Sequence, residues 1–121
     1  MRRGTIVTVA LSGDYGKPRP AVVIQSERLA ATDSLLVCPL TSTQRNAPLY
    51  RLAVAPDAEN GLRQASDVMV DKITAVRRAR IGEAIGTLGA AHLLALDRML
   101  ALAVGIADRT GTNPSGAEIR P

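Results

Sequence analysis

The sequence predicts a mainly β domain: a small, strongly curved antiparallel barrel with one C-terminal helix. Three observations point to it. Five or more short apolar runs show strand-like patterning, the Gly- and Pro-rich links between them have hairpin length, and helical periodicity begins only after residue 90. At 121 residues the chain fits one domain, because cores of this size form a single packed unit. Residues 1–107 are expected to form it and 108–121 a flexible tail.

The elements follow in order. Thr5 to Leu11 alternates apolar and hydroxyl residues, the pattern of a half-buried first strand. Ser12 to Pro20 is too dense in Gly and Pro to carry regular structure and reads as a loop. Ala21 to Gln25 is a β-branched second strand and Leu35 to Leu40 a third, followed by loop chemistry from Thr41 to Pro48. A fourth strand over Leu49 to Val54 sets Tyr50, Leu52 and Val54 on one face and Arg51 and Ala53 on the other. Pro56 to Gln64 reads as a turn or short irregular segment, Ser66 to Ile73 as a fifth strand and Arg80 to Leu88 as a short final one. From Ala90 the period changes: Leu93, Leu96, Leu100, Ala103, Val104 and Ala107 recur at helical spacing with Asp97 and Arg98 between them, an amphipathic helix. Beyond Asp108 the chain is polar and rich in Gly and Pro.

Composition narrows the chemistry. The apolar stretch Leu93 to Ala107 is interrupted by charge and too short to span a bilayer. Arg2 and Arg3 lead into a Thr/Val alternation rather than a signal-peptide core, so a cytoplasmic protein with no membrane partner is expected. A lone Cys38 makes no internal disulfide and reads as a small core filler; with only His92 beside it there is no zinc ligand set. No metal or cofactor is expected, and His92, placed as exposed at the helix start, receives no catalytic role. The formal charge of +4 favours an anionic partner such as nucleic acid, although a modest excess is also common in proteins that bind none. With only Tyr15 and Tyr50 as aromatics, a sheet that stacks bases on several rings is excluded.

One tetrapeptide stands out, Lys17-Pro18-Arg19-Pro20. Pro18 fixes its own φ and Pro20 pushes Arg19 toward extended backbone, so the guanidinium is mounted on a pre-ordered segment. Such an Arg suits phosphate, to which its planar fork donates two parallel hydrogen bonds. If the second and third strands are antiparallel neighbours, Arg19 shares a rim with Thr41 and Ser42. The alternative is ordinary turn chemistry, with a solvated Arg19 and hydroxyls that bond to nearby backbone. Lys17 is expected to contact phosphate, and Tyr15 is a candidate base-stacking residue. Arg77, Arg78 and Arg80 read as a solvated basic run.

Four blocks then resemble, in order and spacing, the MazF/PemK family of toxins: Arg3 to Val7, Lys17 to Ser26, Cys38 to Ser42, and Ser66 to Ile73, with Arg80-Ile81-Gly82 and the terminal helix completing the match over roughly residues 2–107. The resemblance implies an SH3-like barrel, a homodimer, a cognate acidic antitoxin, and cleavage of single-stranded RNA without metal. It also implies that Arg19 and Thr41 are the catalytic pair, with Ser66 and Asp71 near the site. One branch of the family carries a histidine in the first loop and an arginine two residues before the aspartate; this chain has no such histidine, and Met69 stands in the second position. RNA of this kind is cut when its own 2′-OH attacks the neighbouring phosphorus, leaving 2′,3′-cyclic phosphate and 5′-OH ends. The alternative within the fold is a CcdB-like, non-enzymatic poison of DNA gyrase that works through the terminal helix.

Overall fold

The computed structural model describes residues 1–10 and 17–108. Tyr15 and nearly all of the expected tail lie outside the described residues.

Among the described residues seven strands form one antiparallel sheet, followed by a helix: β1 (Thr5–Val9), β2 (Arg19–Val23), β3 (Ser34–Thr41), β4 (Arg51–Val54), β5 (Ser66–Met69), β6 (Thr74–Arg77), β7 (Ile81–Thr87) and α1 (Ala90–Ala103). The strand order is β4-β5-β3-β2-β1-β7, with β6 also on β3. The expected class, mainly β with one C-terminal helix, is the one observed; the sheet curves like a barrel but does not close.

β3 organises the sheet. One edge pairs with β2; the other pairs first with β6, from Ser34↔Arg77 to Val37↔Thr74, and then with β5, at Leu40↔Val68 and Thr41↔Asp67. Pro39 falls where the partner changes, a position at which a residue with no N–H to donate is tolerated. This exchange corrects the expected fifth strand. Ser66 to Ile73 is not continuous: β5 ends at Met69, a 3₁₀ turn covers Val70–Lys72, and β6 is a strand that apolar patterning alone does not reveal. β2 begins two residues earlier than expected and ends before Gln25, whose buried amide instead holds the next loop: Nε2 donates to Leu29 O and Thr32 Oγ1, and Oε1 accepts from Leu36 N. Arg78, expected to be solvated, braces the same loop by donating to Thr32 O at 2.6 Å and Ala30 O at 3.2 Å.

Both faces of the central strands are covered. Ile6, Val22, Cys38, Leu40, Val68 and Leu96 belong to one apolar cluster, and Val7, Val9, Ala21, Val23, Val37 and Val76 to another. β1 is therefore fully buried over Ile6 and Val7 rather than half-buried, because the curved sheet and α1 enclose both sides of it. The helix is shorter than its apolar period suggests. It stops at Ala103, so Val104 and Ala107 lie beyond it, and Leu96 is its one fully buried residue. Arg3 pins it to the sheet, pairing with Asp97 at 2.5 Å while its Nε donates to Ile24 O. His92 is half-buried rather than exposed. Arg51 and Ala53, expected on one face of β4, differ in burial: Arg51 is buried and Ala53 exposed. Among the described residues no helix is long and apolar enough to cross a membrane.

Candidate functional site

The ladder between β2 and β3 runs through Ala21↔Pro39. Continued by two residues it sets Arg19 opposite Thr41, at the end of the sheet where β2 enters and β3 leaves. The shared rim follows from the antiparallel register alone. On its other edge Arg19 pairs with Val9 of β1, which fixes its backbone in the sheet.

Beside this rim lies a groove of about 580 Å³. Thr8, Pro20 and Leu40 line its floor with Leu62 and Ile85, and Lys17, Arg19 and Arg63 supply three cations. Ser42, Gln64 and Ser66 add polar groups, and among the described residues no Asp or Glu lines it. Low-dielectric walls and charge of one sign concentrate an anion in such a cleft.

One wall comes from the segment after β4. Asn60 is buried: its Oδ1 accepts from Asp57 N and Leu62 N, and its Nδ2 donates to Ala55 O. This braced turn brings Gly61 against β7. A Cβ at Gly61, whose φ is +68°, would sit 2.0 Å from Ile85 O, and one at Gly86 would sit 2.3 Å from Asn60 C, so only glycines permit the approach. Leu62, Arg63 and Gln64 are thereby carried to the groove.

The expected site residues divide. Lys17, Arg19, Ser42 and Ser66 line the groove. Thr41 sits on the rim but does not line it; its hydroxyl accepts from Thr43 N at 3.1 Å, the local turn bond that such hydroxyls often make. Ser66 is buried and donates to Gln64 O. Asp71 lies apart, in a second cavity that shares no lining residue with the first. Tyr15 is outside the described residues. Arg63 and Gln64 escape the sequence reading because nothing in their local pattern distinguishes them from a turn. Asp67 escapes it too: buried in β5, it accepts from Arg45 N at 2.8 Å and Gln44 Nε2 at 3.3 Å, anchoring the segment that leaves the rim. Among the described residues no group of three His, Cys, Asp or Glu side chains is placed to hold a metal. Burial pushes the Cys38 thiol up to about 12; Arg3 opposes this and Asp71 adds to it.

Residues 2–104 match a family described as the PemK-like, MazF-like toxin of type II toxin–antitoxin systems. The chain belongs to this family. It is 42% identical over 108 residues to a probable endoribonuclease MazF of Mycolicibacterium smegmatis, covering 88% of this chain and 99% of the relative. Among solved structures, the Mycobacterium tuberculosis toxin MazF-mt6 superposes with a TM-score of 0.71 at 28% identity, over 84% of this chain and 96% of that one. An endoribonuclease from a mycobacterial species in complex with its cognate antitoxin gives a TM-score of 0.71 at 22% identity, over 88% and 96% of the two chains, a likeness of fold. The family match spans both walls of the groove, from Lys17 and Arg19 to Arg63 and Ser66.

Proposed function

We propose that this family member is the endoribonuclease toxin of a toxin–antitoxin pair, and that it cuts single-stranded RNA in the groove beside Arg19. The observation that carries the reading is the charge of that groove: among the described residues, three cations and no carboxylate line a cleft of about 580 Å³, which suits a phosphodiester backbone. The 42% identical relative is named a probable endoribonuclease.

The chemistry needs no group beyond the chain and its substrate. The ribose 2′-OH attacks the adjacent phosphorus, the P–O5′ bond breaks, and the products carry a 2′,3′-cyclic phosphate and a 5′-OH. Negative charge grows on the phosphoryl oxygens as the 2′-oxygen adds. Arg19 meets that charge from a backbone fixed between two prolines, and one such pre-oriented donor contributes about 100- to 1,000-fold in rate. A guanidinium keeps its charge near neutral pH, so Arg19 serves as charge stabiliser rather than proton acceptor. Thr41, whose oxygen already accepts from Thr43 N, keeps its own proton to donate to a phosphoryl oxygen. Lys17 and Arg63 hold flanking phosphates, and Ser42 reaches the groove from the residue after Thr41. The active unit is a homodimer in the cytoplasm, neutralised by an acidic antitoxin.

The test is cleavage of a long single-stranded transcript in the presence of a chelator. Arg19→Ala and Thr41→Ala are expected to abolish cutting while shifting the melting temperature little, with products from the parent enzyme ending in cyclic phosphate. Cutting that survives both substitutions defeats the site assignment. Inhibition of gyrase without RNA cleavage establishes the gyrase-poison alternative, which gives the cationic groove no task.

A further inference from the structure

The groove beside Arg19 offers more than a phosphate needs. Its floor is apolar: Leu40 and Leu62 are buried, and Pro20 and Ile85 half-buried. A phosphate gains nothing from such a surface, whereas the flat face of a nucleobase is covered by it. At about 580 Å³ the cleft has room for a whole nucleotide, within the range of small-molecule pockets. Among the described residues no aromatic ring lines it, so a base there lies between aliphatic walls and is told from other bases by hydrogen bonds to its edge.

One side chain is equipped to make those bonds. The chain has three glutamines, Gln25, Gln44 and Gln64. Two serve the fold: Gln25 holds the loop after β2, and Gln44 Nε2 donates to Asp67 Oδ1 at 3.3 Å. Gln64 instead is exposed and lines the groove. Its backbone is fixed on both sides: Ser66 Oγ donates to Gln64 O at 3.0 Å, and the turn before it is seated against β7 through Gly61 and Gly86. Asp67, three residues on, pairs with Thr41 between β5 and β3, so no more than about 11 Å of backbone separates Gln64 from the rim. The base it meets belongs to a nucleotide at or close to the scissile phosphate.

We infer that Gln64 reads one base of the RNA, an adenine close to the scissile phosphate, laid on the floor of Leu40, Leu62 and Ile85. The inference rests on the RNA-cleaving reading above and adds a base contact to it. A primary amide presents a donor and an acceptor side by side, and adenine answers with a ring nitrogen and the N6 amine. The Watson–Crick edge of guanine offers two adjacent donors, which ask for a carboxylate, and among the described residues none lines the groove. The amine of cytosine likewise suits an acidic side chain, and uracil covers less of the apolar floor than a purine does. Lys17, Arg19 and Arg63 are left to the phosphates.

A transcript library with a randomised internal segment is cut by the full chain, and the cut positions are read from the 5′-OH ends. The parent is expected to favour adenine over guanine at one position near the cut by about 5- to 150-fold, the discrimination of one bidentate contact. Gln64→Leu should flatten that position alone. Gln64→Glu, which has two acceptors and no donor, should turn it toward cytosine, with the preferences at other positions kept. A parent with no adenine position overturns the inference, and so does an adenine preference that survives Gln64→Leu. Preferences lost at every position together overturn it as well, by showing that the residue supports the groove wall. Should Gln64→Leu fail to fold, the shift in Gln64→Glu carries the test. Recognition is read apart from cleavage by selecting binders from a randomised 2′-deoxy single strand, which lacks the attacking hydroxyl. Adenine enrichment that depends on Gln64, in a parent that cuts no RNA, removes the proposed function and leaves the base contact standing; RNA cutting with no adenine position does the reverse.

Discussion

Gly61→Ala is expected to damage both stability and cleavage without removing any group that reaches RNA. Gly61 has φ +68°, and a Cβ there would stand 2.0 Å from Ile85 O and 2.8 Å from Ile85 C. The left-handed backbone costs a non-glycine residue about 1 kcal/mol, and relieving an overpacked contact costs about 1–3 kcal/mol more. A loss of about 2–4 kcal/mol lowers the melting temperature of a domain this size by roughly 8–15 °C. To clear the clash, the segment must retreat from β7 by more than an ångström, taking Leu62, Arg63 and Gln64 with it. Misplacement on that scale costs a site about 100-fold in rate. Gly105→Ala is the control: φ there is +82°, but the nearest atom to its Cβ is 3.6 Å away, so it bears the conformational cost of about 1 kcal/mol and leaves cleavage intact. Thermal melts followed by circular dichroism and single-turnover cleavage of a transcript provide both readings. A Gly61→Ala protein that melts with Gly105→Ala, or cuts at the parent rate, would refute the claim that this close approach sets the groove wall.

Three further outcomes are expected. Asp67→Ala leaves the Arg45 N–H without its acceptor, at a cost of about 1–3 kcal/mol, and hydrogen exchange should quicken across residues 42–48 while β1, β2 and β7 stay protected; uniform loss of protection would show that Asp67 supports the whole core instead. Cys38, with its folded pKa raised from 9.0 to about 12, stays protonated where an unfolded thiol ionises, so stability from this group is intact below pH 9 and falls by about 1.4 kcal/mol per pH unit above it. Denaturant melts should show that slope in the native protein and lose it in Cys38→Ala, and iodoacetamide should not label the native thiol at pH 8. Lys17→Ala should weaken RNA binding and reduce the slope of log affinity against log salt by about 0.7, the single-strand value for one phosphate contact; an unchanged slope would remove Lys17 from the phosphate path.

The antiparallel strands, the late helix and the Pro-flanked Arg19 are legible in the sequence because each is written in a short window. Alternation marks β1 through Ile6 and Val7, helical spacing marks α1 through Leu93, Leu96 and Leu100, and two prolines constrain the arginine between them. Local pattern also placed Arg19 and Thr41 on one rim, since antiparallel register follows once two strands are neighbours. It does not reveal that β3 serves two partners on one edge, so β6 leaves no mark in the pattern and the fifth strand reads longer than it is. Nor does it say which polar residues close the groove. Arg63 and Gln64 reach it because Gly61 and Gly86 allow two distant segments to touch.

What the chain alone determined is the fold class, the family blocks and the cation most suited to phosphate, because each depends on residues near one another in sequence. Tertiary structure decided the depth of burial: β1 covered on both faces, Arg51 inside with an unused donor, and Asp71 separated from Arg19. Those outcomes depend on which segments meet across the sheet, and curvature and contact over dozens of residues leave no periodic trace along the chain.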